Sequence, residues 1–100
     1  MKNVVLSADS ERIVYSVPDD VADNLEQYCL EFCNKWLHTS PHAEKYRING
    51  GVCYNESDFI EYLNTWIFPN QQSIFIKNLG WIEFDKSLPK EYKDCPEFNF

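Results

Sequence analysis

The chain has 100 residues, with 16 Asp or Glu against 9 Lys or Arg and a net charge of −7. That length fits one domain over residues 1–100 with a radius of gyration of roughly 13 Å. Its 16% aromatic residues, with only 3 Gly and 5 Pro, exclude a disordered or low-complexity chain.

The charge bears next on partners. Binding nucleic acid through its phosphates needs clustered basic residues. Here the only arginines are Arg12 and Arg47, and no two basic residues are adjacent. Direct nucleic-acid binding is therefore not expected. The same carboxylate excess disfavours an anionic membrane surface and favours a basic partner if any partner is charged, although acidity more commonly serves to keep a small domain soluble.

The run Val4-Val5-Leu6 stops at Ser7-Ala8-Asp9-Ser10-Glu11, too short for the core of an export signal. No stretch approaches the ~18 apolar residues of a membrane span. The reading is a cytoplasmic protein whose Cys29, Cys33, Cys53 and Cys95 are reduced thiols.

In chain order, Val4 to Ser7 and Arg12 to Val17 are β-prone runs around a polar turn. A hairpin there sets Leu6 opposite Ile13 and Val4 opposite Tyr15 on one face, with Val5 and Val14 on the other. Pro18-Asp19-Asp20 then carries helix-start chemistry. Val21, Leu25, Tyr28, Cys29, Phe32 and Trp36 follow at helical spacing to about His38. The opposite face of this helix carries Asp20, Asp23, Asn24, Gln27, Glu31 and Asn34.

Thr39-Ser40-Pro41 ends the helix, and Asn49-Gly50-Gly51 suggests a short strand pair between Tyr46-Arg47-Ile48 and Val52-Cys53-Tyr54. Asn55 or Ser57 caps a second helix, with Phe59, Ile60, Leu63, Trp66 and Ile67 as its apolar stripe. Ser73 to Lys77 and Trp81 to Phe84 read as a hairpin closed by Asn78-Leu79-Gly80. Its register sets Ile76 opposite Ile82 and Ile74 opposite Phe84. The tail 86–100, punctuated by Pro89 and Pro96, is expected to be irregular.

The fold class is therefore α+β: a small antiparallel sheet of four to six strands, in the order ββ-α-(ββ)-α-ββ. Two amphipathic helices pack on one of its faces. Val5, Val14, Phe75 and Trp81 then share the reverse face. The aromatic tail (Tyr92, Phe98, Phe100), a second copy of the chain or a docked partner would cover it.

No constellation rises to a reaction, and no catalytic residue, metal ligand or cofactor is assigned. Cys29 and Cys33 lie one helical turn apart with His38, His42 and Cys53 near in sequence, but the spacing is irregular for zinc. Burial of Cys29 as a small apolar residue is the simpler reading. A reactive thiolate needs electropositive neighbours, whereas Cys95 stands between Asp94 and Pro96-Glu97. The acidic pairs at helix starts are explained by capping and the helix dipole.

The expected function is that of a non-enzymatic acidic protein-binding domain that inhibits a basic protein. Immunity and phage anti-defence proteins are the functional models. Asp20, Asp23, Gln27 and Glu31 would steer the encounter, and Phe75 and Trp81 would serve as buried anchors. The alternatives are a metal- or ligand-binding protein using the Cys/His group, and a subunit that self-associates through the reverse sheet face. Seven Lys to two Arg, with nine Asn, suggests an AT-rich bacterial or phage genome.

Overall fold

The computed structural model describes residues 1–8, 11–81 and 88–100. Strands β1 (Lys2–Ser7) and β2 (Glu11–Val17) form the expected antiparallel pair, with Val4 opposite Tyr15, Val5 opposite Val14 and Leu6 opposite Ile13. Asp9 and Ser10, at the centre of the expected turn, lie outside the described residues.

The first helical stretch is divided where one regular helix was expected. Helix α1 (Asp19–Asp23) gives way at Asn24, whose φ of −132° and ψ of 38° leave the helical region, to α2 (Leu25–Leu30). A π-helical turn at Glu31–Trp36 and the short α3 (Leu37–Thr39) complete it. Phe32 and Leu37 are both fully buried, and their five-residue spacing matches the wider π period. Trp36, placed on the buried stripe by α-helical spacing, is only half-buried. Arg47 donates to the Leu37 carbonyl at 2.9 Å and so satisfies an end of the stretch.

A 3₁₀ turn (Pro41–Tyr46) leads to the short pair β3 (Arg47–Ile48) and β4 (Gly51–Val52). Their link is the Asn-Gly turn expected from sequence, with positive φ at Asn49 (51°) and Gly50 (82°). Helix α4 (Glu56–Tyr62) starts at a full capping box: Asn55 accepts from the Asp58 amide, and Asp58 accepts from the Asn55 amide. This helix also ends in a π-helical turn, Leu63–Ile67, closed by a 2.7 Å bond from the Phe68 amide to the Leu63 carbonyl. The wide turn carries Phe68 against the core and leaves Trp66 and Ile67 exposed, correcting their place on the apolar stripe.

Strand β5 (Ile74–Trp81) runs straight through Asn78-Leu79-Gly80, so those residues are not a hairpin loop. The expected partners Ile82 and Phe84 lie outside the described residues. β5 pairs antiparallel with β2, with register shifts that pass over Ile76 and Leu79. Each extra residue flips the side-chain phase. Phe75 therefore stands opposite Tyr15 on the helix-covered face, its ring edge-to-face at 6.1 Å, and Trp81 stands opposite Glu11. Ile74 and Ile76, expected under the helices, are exposed.

The tail supplies the other correction. Glu97–Asn99 forms β6, parallel to β1, giving a mixed four-stranded sheet in the order β5-β2-β1-β6 beside the separate β3-β4 pair. Backbone bonds from Val5 N–H to Pro96 and from Phe100 N–H to Ser7, both within 2.9 Å, bracket this pairing.

The architecture is α+β, with two apolar clusters on opposite faces of the sheet. Val4, Leu6, Ile13, Tyr15 and Val17 meet Val21, Leu25, Phe32, Phe59 and Leu63 in the larger cluster. Phe98 and Phe100 pack against it. On the reverse face Val5 and Val14 are sealed by Tyr92, with Leu79, Leu88 and Cys95 around them. No helix of the described residues is long and apolar enough to cross a membrane.

Candidate functional site: an acidic groove on the first helical stretch

An open concavity lies beside the break at Asn24. Asp20, Asn24, Gln27, Tyr28 and Glu31 line a groove of about 380 Å³. These positions step along one side of α1 and α2 and reach into the π-helical turn. A pocket of that size falls at the lower end of the range for ligand sites, roughly 300–1,000 Å³.

The groove's inner hydrogen bonds centre on Asp20. Tyr28 donates its phenolic proton to one carboxylate oxygen. Asn24 donates from Nδ2 to the other at 3.2 Å and to the Asp20 carbonyl at 3.1 Å. The bond to Asp20, reinforced by burial, pushes the Tyr28 phenol up to about 12. Tyr28 is further supported by the Phe68 ring at 6.1 Å. The second helix thus buttresses the groove through the residue its π-helical turn turned inward.

Glu31 stands at the other end of the groove, 3.6 Å from Lys35 one turn along. Both side chains are largely exposed, so this pair adds little stability. Asp23 is not part of the lining: it is bound by Lys2 at 2.7 Å, which raises the Lys2 ammonium. Asp19 pairs with the terminal amine of Met1 at 2.8 Å, and that bond lowers its carboxyl.

Of the residues singled out from sequence, the structure brings Asp20, Gln27 and Glu31 into one groove and places Asp23 beside it in an ion pair. Phe75 and Trp81 are on β5, exposed by 58% and 68%, and neither lines the groove. Asn24, expected on the acidic face but given no role, and Tyr28, expected on the apolar stripe, are the lining members not singled out from sequence. Their signal was the i, i+4, i+8 series Asp20, Asn24, Tyr28, which runs along one helical side.

The cysteines have different surroundings. Cys29 is buried, Cys33 and Cys95 are half-buried, and Cys53 is exposed. Burial pushes the Cys29 thiol up, and burial with Asp94 does the same to Cys95. Among the described residues no three His, Cys, Asp or Glu side chains gather as a group that could hold a metal ion. The groove itself offers carboxylates, amide groups and a phenol held protonated by its neighbour. Such a set can accept hydrogen bonds from a cation. No family model, curated protein or solved structure matches this chain.

Proposed function

We infer that this chain is a non-enzymatic, acidic protein-binding domain that acts in the cytoplasm as the inhibitor of a basic protein. Bacterial immunity proteins and phage anti-defence proteins are its functional models. The observation that supports this reading is the meeting of Asp20, Gln27 and Glu31 in one groove with Asn24 and Tyr28. Asp20 is held by two donors and is therefore fixed in position before a partner arrives, which lowers the ordering cost of binding. Glu31 can exchange its exposed Lys35 for a partner's cation at little cost.

The −7 net charge supplies a long-range field that draws a basic partner in. Asp23 contributes less to it, because Lys2 lies against it. Phe75 and Trp81 are the exposed aromatic anchors available on β5. The test uses the cognate protein recovered from cells that make this chain. The double substitution Gln27→Lys with Glu31→Lys should slow association about tenfold at low salt and flatten its salt dependence. Unchanged association in both respects would overturn the assignment.

A further inference from the structure

A second cavity, of about 90 Å³, shares no lining residue with the acidic groove. Trp36, Tyr46, Tyr62 and Trp66 contribute four aromatic rings to it, and Glu61 and Lys45 contribute charge. Three segments converge here: the first π-helical turn, the end of the 3₁₀ turn, and the second helix with its own π-helical turn. Trp36 lies 4.9 Å from the Tyr62 ring and 6.3 Å from Tyr46, centre to centre. Trp66, 46% exposed, is stacked at 4.2 Å on His42, which fixes an indole that would otherwise be loose on the surface.

The size narrows the occupant. A water needs only ~10–15 Å³ measured in this way, whereas drug-sized ligands need several hundred. The space therefore fits a small head group.

The chemistry narrows it further, because the chain's own cation already lies there. Lys45 Nζ sits 5.0 Å from the centre of the Tyr46 ring and 3.5 Å from Glu61 Oε1. Tyr46 donates its hydroxyl proton to Glu61 Oε2 at 3.3 Å, tying the carboxylate to the aromatic wall. Aromatic faces attract cations electrostatically, and a weakly hydrated, methylated ammonium gains most from them. The Lys45 side chain is largely exposed and can release its ammonium to water.

We propose that this cavity is an aromatic cage for a quaternary or methylated ammonium head group, with Lys45 as the resident cation that the ligand displaces. The proposal is independent of the acidic groove and goes beyond the inhibitor reading.

The test titrates the whole chain with choline and, separately, with a peptide bearing trimethyl-lysine. It follows the indole N–H signals of Trp66 and Trp36, both in the cavity wall, with Trp36 as the reporter in the Trp66 variant. The NMR is done at about pH 8, above the range in which histidines gain a proton. Both carry the same head group, and the tighter one identifies its source. Saturable shifts are expected, with the neutral isostere 3,3-dimethylbutan-1-ol binding about tenfold more weakly. Trp66→Ala should weaken ammonium binding about tenfold. Lys45→Ala should strengthen it roughly threefold, by removing the competing cation. Should Trp66→Ala fail to fold, Glu61→Gln carries the same test through the charge alone. The proposal is overturned if neither ammonium saturates the Trp66 shift, if the neutral alcohol binds equally well, or if Lys45→Ala fails to strengthen binding.

Discussion

Tyr28 gives its phenolic hydrogen to Asp20, two helical turns earlier and across the break at Asn24. This bond ties α1 to α2 where the backbone ladder is interrupted. It also keeps the phenol protonated far into the alkaline range, up to about 12.

The first prediction is therefore a tyrosine titration. A tyrosine whose folded value is raised contributes stability that is complete below the unfolded value, near 10. That contribution is lost as pH rises through the folded value of about 12. Burial also raises Tyr15, Tyr46, Tyr54 and Tyr62, so ultraviolet titration of phenolate should lose its latest component in Tyr28→Phe and show that component moved down in Asp20→Asn. A Tyr28 phenol that titrates in the same place with Asn at position 20 would contradict the bond's role.

The second prediction concerns the tail. Phe100 lies against Phe32, Tyr54 and Phe59, with ring centres between 5.6 and 6.2 Å. Because Phe100 is only partly buried, Phe100→Ala should cost about 2 kcal/mol, below the range for a fully buried phenylalanine. Urea unfolding measures this. A loss under about 0.5 kcal/mol would mean that β6 and its flanking aromatics are not part of the core.

Asn64 and Ser73 provide a third. The Asn64 amide donates to the Ser73 carbonyl at 3.0 Å and accepts from its N–H at 2.6 Å, so one side chain holds the start of β5 against the second helix. Ser73 itself is buried, and its hydroxyl has no hydrogen-bond partner among the described residues. Asn64→Ala should cost about 2 kcal/mol, since it leaves two backbone groups unpaired, whereas Ser73→Ala should be neutral or slightly stabilising. Thermal unfolding of both variants checks the contrast, and the reverse order would contradict it.

These residues also show how far the fold was legible in the sequence. The β1–β2 register, the Asn49-Gly50 turn and the Asn55 cap rest on local chemistry and stand as expected. The helix stripes were read with an α-helical period, which is right as far as Phe32 and Leu63. After each of those residues a five-residue step replaces it, bringing Leu37 and Phe68 inward and leaving Trp66 and Ile67 outside. A π-helical turn is stabilised by tertiary packing, so local spacing does not announce it.

The same applies to β5. Gly80, with a φ of 76°, reads locally as a loop residue, but here it serves a bulge within a strand. In the candidate site, the charges were visible in the composition of one helix face. The roles of Asn24 and Tyr28 were not, because they depend on a helix break that no Pro or Gly marks.

The shifted stripe makes a fourth prediction. Leu37→Ala should cost about 3 kcal/mol, and Ile67→Ala under about 1 kcal/mol. Chemical denaturation of the two variants measures both, and equal costs would restore a plain α-helical stripe.

The central claim, that the acidic groove receives a basic protein, is tested most directly by native mass spectrometry of the tagged chain recovered gently from cells that produce it. The account predicts a one-to-one complex with a basic protein, lost when Gln27→Lys and Glu31→Lys are combined. A complex retained in full by that variant, or recovery of the wild-type chain without any basic protein, would contradict it.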